Sequence, residues 1–230
     1  MRTFLIAAAL AGSASPADAA TRNFGITGFT KIRVDGPFKV SLTTGVAPFA
    51  RASGSGPALD RVEIDVRGDT LVVHSSASSW GGYPGTNAGP VEINVGTHEL
   101  GNAWLNGAGS LVIDRVKGLT FALSVQGSGR AEIALAQADQ MTVSLVGTGS
   151  AKLSGQAKRL TTLVRGISTL DATGLAAPTA TIAAEGAATI DANVTDSATV
   201  QASGPATIRL TGRPSCTLKV TGSTTVSGCR

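Results

Sequence analysis

Trp80, Tyr83 and Trp104 are the flat amphipathic rings of a chain with only 4% aromatic residues, and Tyr83 is its one tyrosine. Rings of this kind suit stacking on a sugar or a peptide. Two of them fall in SASSWGGYPGTNAG, from Ser76 to Gly89, a Gly/Ser-rich stretch too long for a hairpin turn. Two readings stay open. Either the 76–89 segment covers Trp104 as an internal latch, or the three rings form a binding surface for a glycan or peptide.

The other reactive groups are sparser. His74 and His98 are the two histidines, and no cysteine or carboxylate stands near them at a zinc-ligand spacing. Both read as surface or hydrogen-bonded polar residues at strand ends, so no metal and no cofactor is expected. Serine is plentiful, but the G-x-S-x-G elbow of a hydrolase is missing. Asp171 and Asp191 stand one repeat apart, which on stacked strands separates them by about 5 Å, a retaining-glycosidase spacing. Lys152 and Arg209 flank that pair in sequence order and neutralise it. Catalysis is therefore not expected, and a polysaccharide lyase or hydrolase is the alternative.

These residues are placed by a recurring glycine. Gly107, Gly127, Gly147, Gly166, Gly186, Gly204 and Gly222 follow one another at intervals of 20, 20, 19, 20, 18 and 18 residues. Each sits in one short phrase, as in LNGAGSLVI, VQGSGRAEI and LVGTGSAKL. Positions four and two before the glycine are mostly apolar (Leu123 and Val125, Ile182 and Ala184), as is the position four after it (Leu111, Ile190). Alternation with period two means strands with one buried face. A fixed period near 20 means units stacked on their neighbours, hence a parallel β-helix with coils of about 20 residues. Seven coils would give a rod of roughly 34 Å. The column five after the glycine should stack Glu132, Lys152, Asp171, Asp191 and Arg209 as an outward ladder that fixes register. Trp104, three before Gly107, is expected to face outward.

Residues 1–19 read as a secretory signal, with Arg2 at its start, an apolar core from Phe4 to Ala11 and an A-x-A site at Ala17 to Ala19. No later apolar run is long enough for a transmembrane helix. In an oxidising compartment Cys216 and Cys229 should pair and clamp the last coil. The net charge of +4 is mild and its cations are scattered, so nucleic acid is not an expected partner.

Residues 20–100 lack a clean glycine phrase but carry alternating runs, among them FTKIRVDG, FKVSLTTG, RVEIDVRG and DTLVVHSS. RVEIDV and LVVHS should form a hairpin around RGDT. These irregular strands are expected to cap and widen the first coils within one domain spanning 20–230, the regular coils filling 101–230. The segments FTKIRVDGPFKVSLTTG, LDRVEIDVRGDTLVVHS and PVEINVGTHELGNAWLNGAGSLVI resemble the bacterial head GIN domain family, a family of unknown function that carries an autotransporter-adhesin label, from about Phe24 to Cys229. The resemblance implies a right-handed single-stranded β-helix and brings no catalytic residues with it. No barrel-sized segment follows Cys229, so the expected address is the periplasm or cell surface, with attachment through a partner.

The expected function is an exported envelope module that binds a polysaccharide or protein, or acts as a scaffold. A self-associating structural protein is a further alternative, because an open first coil could stack end to end.

Overall fold

The computed structural model describes residues 20–76 and 89–230. The leader read over residues 1–19 lies outside them, as do Trp80 and Tyr83.

The regular part runs through strands β8 (Asn102–Gly107), β9 (Ser110–Gly127), β10 (Arg130–Gly147), β11 (Ser150–Gly166), β12 (Thr169–Glu185) and β13 (Thr189–Ser203). From β9 onward each long strand bends around one coil and pairs in parallel with the next, glycine on glycine from Gly107 to Gly166. A coil has a leading face before its glycine, a trailing face after it and a third side that closes the loop. Leu105, Val125, Leu145 and Val164 stack inward on the leading face at 0–1% exposure. Each such side chain is worth about 1.5–3 kcal/mol when buried, against ~0–1 for an exposed ion pair. Register is therefore set by the core columns, and the charged ladder follows it.

The corner needs glycine for two reasons. The ladder glycines have φ between +88° and +126°, which L side chains resist. A Cβ on Gly147 would also stand 2.7 Å from the Gly127 carbonyl oxygen. That conformation lets the next coil bond back, as Ser128 N–H does to Gly107 O at 3.0 Å and Thr148 N–H to Gly127 O at 2.9 Å. The changes in repeat length fall elsewhere. Pairing slips between Ile133 and Ala136, between Lys152 and Ser154, and between Ala172 and Ala176. The third side thus absorbs insertions and the corner keeps its register.

The N-terminal region is more regular than its sequence suggests. Strands β2 (Lys31–Asp35) and β3 (Lys39–Thr44) form the leading and trailing faces of a coil around Gly36, at φ +126°. Gly36 stacks directly against Gly107, 71 positions later. On the other side of that coil lie β6 (Thr70–Ser75), parallel to β2, and β7 (Glu92–Thr97), parallel to β3. The chain thus builds its second coil before its first neighbour is complete, then passes over β2 and β3 to reach β8. The crossing is fastened to the β2–β3 coil by Gly45 N–H donating to His98 O at 3.0 Å and Gly101 N–H to Thr30 O at 2.8 Å.

The first coil is closed, which corrects the expectation of an open end there. Strands β4 (Phe49–Gly54) and β5 (Val62–Arg67) pair antiparallel with β7 and β6, the latter as the hairpin expected around RGDT. Strand β1 (Ala20–Phe24) pairs antiparallel with β4. Helix α1 (Gly56–Leu59), capped by Ser55, joins β4 to β5 and buries Ala58 and Leu59 at 2% exposure. Arg22 ties this end down, donating to Leu59 O at 3.1 Å and pairing with Asp60 at 2.6 Å.

The far end is built from β14 (Thr207–Thr211), β15 (Ser215–Thr221) and β16 (Thr225–Ser227). The Cys216–Cys229 disulfide forms, with Cα atoms 5.7 Å apart, and joins the two faces of the last coil. It clamps that coil without covering it. Leu218 and Val220 continue the inward leading-face columns, yet they are 49% and 37% exposed.

Candidate functional site

Trp104 lies on the leading face, between Arg33 of β2 and Ser124 of β9. Its chain neighbours Ala103 and Leu105 are fully buried, so period-two alternation turns the indole outward, where it is half-buried. Arg33 is held by Asp35 through its Nε at 2.8 Å. Asn106 donates to the same carboxylate at 2.6 Å. One acid thus orients a guanidinium in the ring's own row and an amide in the next outward row. Together with Thr70 and Gln126 these side chains line a shallow depression of about 440 Å³. Depressions of this size hold small ligands, and a few convergent polar groups fix their orientation.

The chemistry offered is a ring face bordered by planar donors and acceptors, the pattern that suits stacking plus hydrogen bonding to a hydroxyl-rich ligand. Of the three rings singled out in the sequence, only Trp104 falls within the described residues. Arg33, Asp35, Thr70, Asn106 and Gln126 were not legible as its partners. The one available signal is IRVDGPFKV, which repeats the glycine phrase and would have placed Arg33 beside Trp104.

A second depression, about 490 Å³, lies on the third side among Gln137, Asp139, Gln156, Lys158, Pro178 and Thr195. Its floor is alanine, and its charges close on each other, Lys158 to Asp139 at 2.8 Å. It offers a ligand no ring and no free charge of either sign.

The acidic ladder has the register expected, with Asp171 opposite both Lys152 and Asp191, and Asp191 opposite Arg209. Asp191 is paired with Arg209 at 3.0 Å. The Asp171 carboxylate accepts from Thr173 Oγ1 and N–H, at 2.6 and 3.1 Å. Those bonds, with Lys152 nearby, hold it below the usual carboxylate range. A carboxyl that stays ionised in this way is unsuited to be the general acid that glycoside cleavage needs. His74 sits on the leading face, its Nε2 3.3 Å from Asp65 and its Nδ1 3.0 Å from Ser75 O, while His98 follows β7 on the trailing face. Among the described residues no three side chains of His, Cys, Asp or Glu gather as a metal site would require.

Fold and site together define a β-solenoid that presents a ligand-sized patch on one flat face. The chain belongs to the family described as "Putative auto-transporter adhesin, head GIN domain", which it matches over residues 28–214. Its fold is that of a "putative adhesin" from Bacteroides fragilis NCTC 9343 (20% identity, TM-score 0.83, covering 91% of this chain and 96% of that one). It is similar also to a "putative lipid binding protein" from Parabacteroides distasonis ATCC 8503 (19%, TM-score 0.69, 91% and 96%). A "putative adhesin" from Parabacteroides merdae ATCC 43184 aligns comparably (17%, TM-score 0.68, 90% and 95%). No curated protein matches the chain. Among the described residues no helix is long and apolar enough to cross a membrane.

Proposed function

We propose that this protein is an exported, non-catalytic binding module of the cell envelope that holds a glycan on its leading face at Trp104. The observation that carries this reading is the outward indole between Arg33 and Ser124, bordered by the Arg33–Asp35–Asn106 network. The adhesin family and the disulfide support an extracytoplasmic address. A lipid-binding role, which the name of the P. distasonis protein suggests, is less favoured. The inward columns here are filled by their own side chains, leaving Trp104's shallow polar patch as the better ligand surface.

The test is retention of the oxidised protein on a panel of envelope polysaccharides, with release of reducing or unsaturated ends recorded in parallel. Retention without release is expected, weakened at least about tenfold by Trp104→Ala and largely kept by Trp104→Phe, since the ring face is what stacks. Trp80→Ala and Tyr83→Ala show whether those rings contribute. Release of sugar ends would overturn the non-catalytic reading and return attention to Asp171 and Asp191. Retention indifferent to Trp104 would remove the site, and no retention would remove the glycan.

A further inference from the structure

The uncovered end of the stack has three properties that together describe a partner. Its leading-face strand β15 hydrogen-bonds only to β13, and β16 only to β14, so among the described residues both outer edges are unpaired. Inward-column residues Leu218 and Val220 are open beside that edge. The side chains of its last strands are basic, because residues 197–230 contain no aspartate or glutamate while Arg213 and Lys219 stand exposed. The neighbouring carboxylates are Asp196, just before the stretch that pairs with β15, and Glu185, which is held by Arg165 at 2.9 Å. From this combination we infer that the C-terminal end of the solenoid docks an extended segment of another protein. The segment adds to β15 as a further strand, with apolar residues over Leu218 and Val220 alternating with acidic residues toward Lys219 and Arg213.

Each alternative occupant fails on one of those properties. A lipid surface could take the apolar side chains and the cations, but hydrocarbon leaves the strand's N–H and C=O groups unsatisfied at several kcal/mol each. A polypeptide edge satisfies them. A second copy docked tail to tail would set Lys219 and Arg213 against their own like charges. A second copy docked head to tail would present Asp60, Asp65 and Asp69 already paired within the chain, with Arg22 at 2.6 Å, Arg67 at 2.7 Å and Lys31 at 3.1 Å. That leaves Glu63 of β5 as the exposed carboxylate without an ion pair among the described residues. Its apolar residues at that end, Leu59 and Val62, are already buried.

The probe is a labelled nonapeptide of alternating valine and glutamate, compared with its valine–lysine counterpart, on the intact oxidised protein. Fluorescence anisotropy reads affinity and hydrogen exchange reads protection of residues 215–227. The glutamate peptide is expected to bind at least about tenfold more tightly, to lose affinity as salt is raised through screening, and to slow exchange in β15. Lys219→Glu combined with Arg213→Glu, both on exposed positions, should reverse the preference between the two peptides. Equal binding of both peptides, protection elsewhere than β15, or an unreversed preference would overturn the proposal. So would stronger protection of 215–227 by phosphatidylglycerol vesicles, which would assign the end to a membrane. Concentration-dependent sedimentation of the protein alone with β15 protected would assign it to a second copy.

Discussion

The two ends of this solenoid are built from the same kind of strand and finished in opposite ways. At the N-terminal end, β4 and β5 run antiparallel to the coils they cover, and α1 closes the gap with Leu59 at 2% exposure. At the C-terminal end the parallel stack stops on β15 and β16, a disulfide holds the coil in shape, and Leu218 remains 49% exposed. The edge residues follow the same division. β5 carries Glu63, Asp65 and Arg67, charges that discourage further pairing, whereas β15 carries Lys219 alone. A reversal of chain direction covers a core, while a covalent clamp only shapes it. Both ends leave outer strand edges unpaired among the described residues, β1 and β5 at one and β15 and β16 at the other, but only the C-terminal edge has inward-column side chains open beside it.

Truncation of core side chains should expose this difference most strongly. Leu59→Ala is expected to cost about 2–4 kcal/mol in urea unfolding, because it opens a cavity under the cap, and Leu218→Ala less than about 1. Equal losses would erase the distinction between the ends. Removing the clamp comes next. Cys216→Ser with Cys229→Ser closes no loop, so about 2–3 kcal/mol should be lost from the last coil. In a stack of nearest-neighbour contacts this loss should stay local, visible as faster exchange in 215–227 with the N-terminal cap unchanged.

A mid-stack change sharpens the contrast by touching neither end. Thr162 sits in the inward column between Val143 and Ile182, 1% exposed, its hydroxyl without a hydrogen-bond partner. Thr162→Val should raise stability by about 1 kcal/mol, since it removes a buried unsatisfied oxygen at nearly constant shape. The smallest effect is expected from acid. The Lys31 ammonium holds the Asp69 carboxyl below its usual range near the N-terminal end, as Thr173 does for Asp171 in the middle. Both folded-state values are depressed, so their stabilisation is fully present above the unfolded value near 4 and is lost as pH falls below it. Protection in 215–227 relative to the unfolded chain's own exchange at each pH should not change over that window, since the segment has no carboxylate side chains.

Legibility of the sequence follows the same division between local pattern and long-range pairing. The coil, its inward columns and the ladder from Glu132 to Arg209 could be read because each depends on a repeat that neighbours share, and the disulfide because the chain has two cysteines, both in its last coil. Gly36 was missed as the first glycine of the ladder although VDGPFKV carries the phrase, because residues 45–100 separate it from Gly107 and break the period. The partners of Trp104 were hidden for the same reason, Arg33 being 71 positions away. A clamped last coil and capping N-terminal strands could be expected from the sequence, but the antiparallel direction of the cap could not. Alternation shows which residues of β4 and β5 face inward and says nothing about whether those strands run with or against their neighbours.

One end of this solenoid is closed over its core and the other leaves Leu218 and Val220 open. Hydrogen exchange on the oxidised protein alone tests this most directly. Amides of β15 and β16 are expected to exchange faster than those of every other strand pairing with a coil, while β6 and β7 beneath the cap match β9 to β11. Protection of β15 equal to β10, or faster exchange in β6 and β7 than in β15, would contradict it.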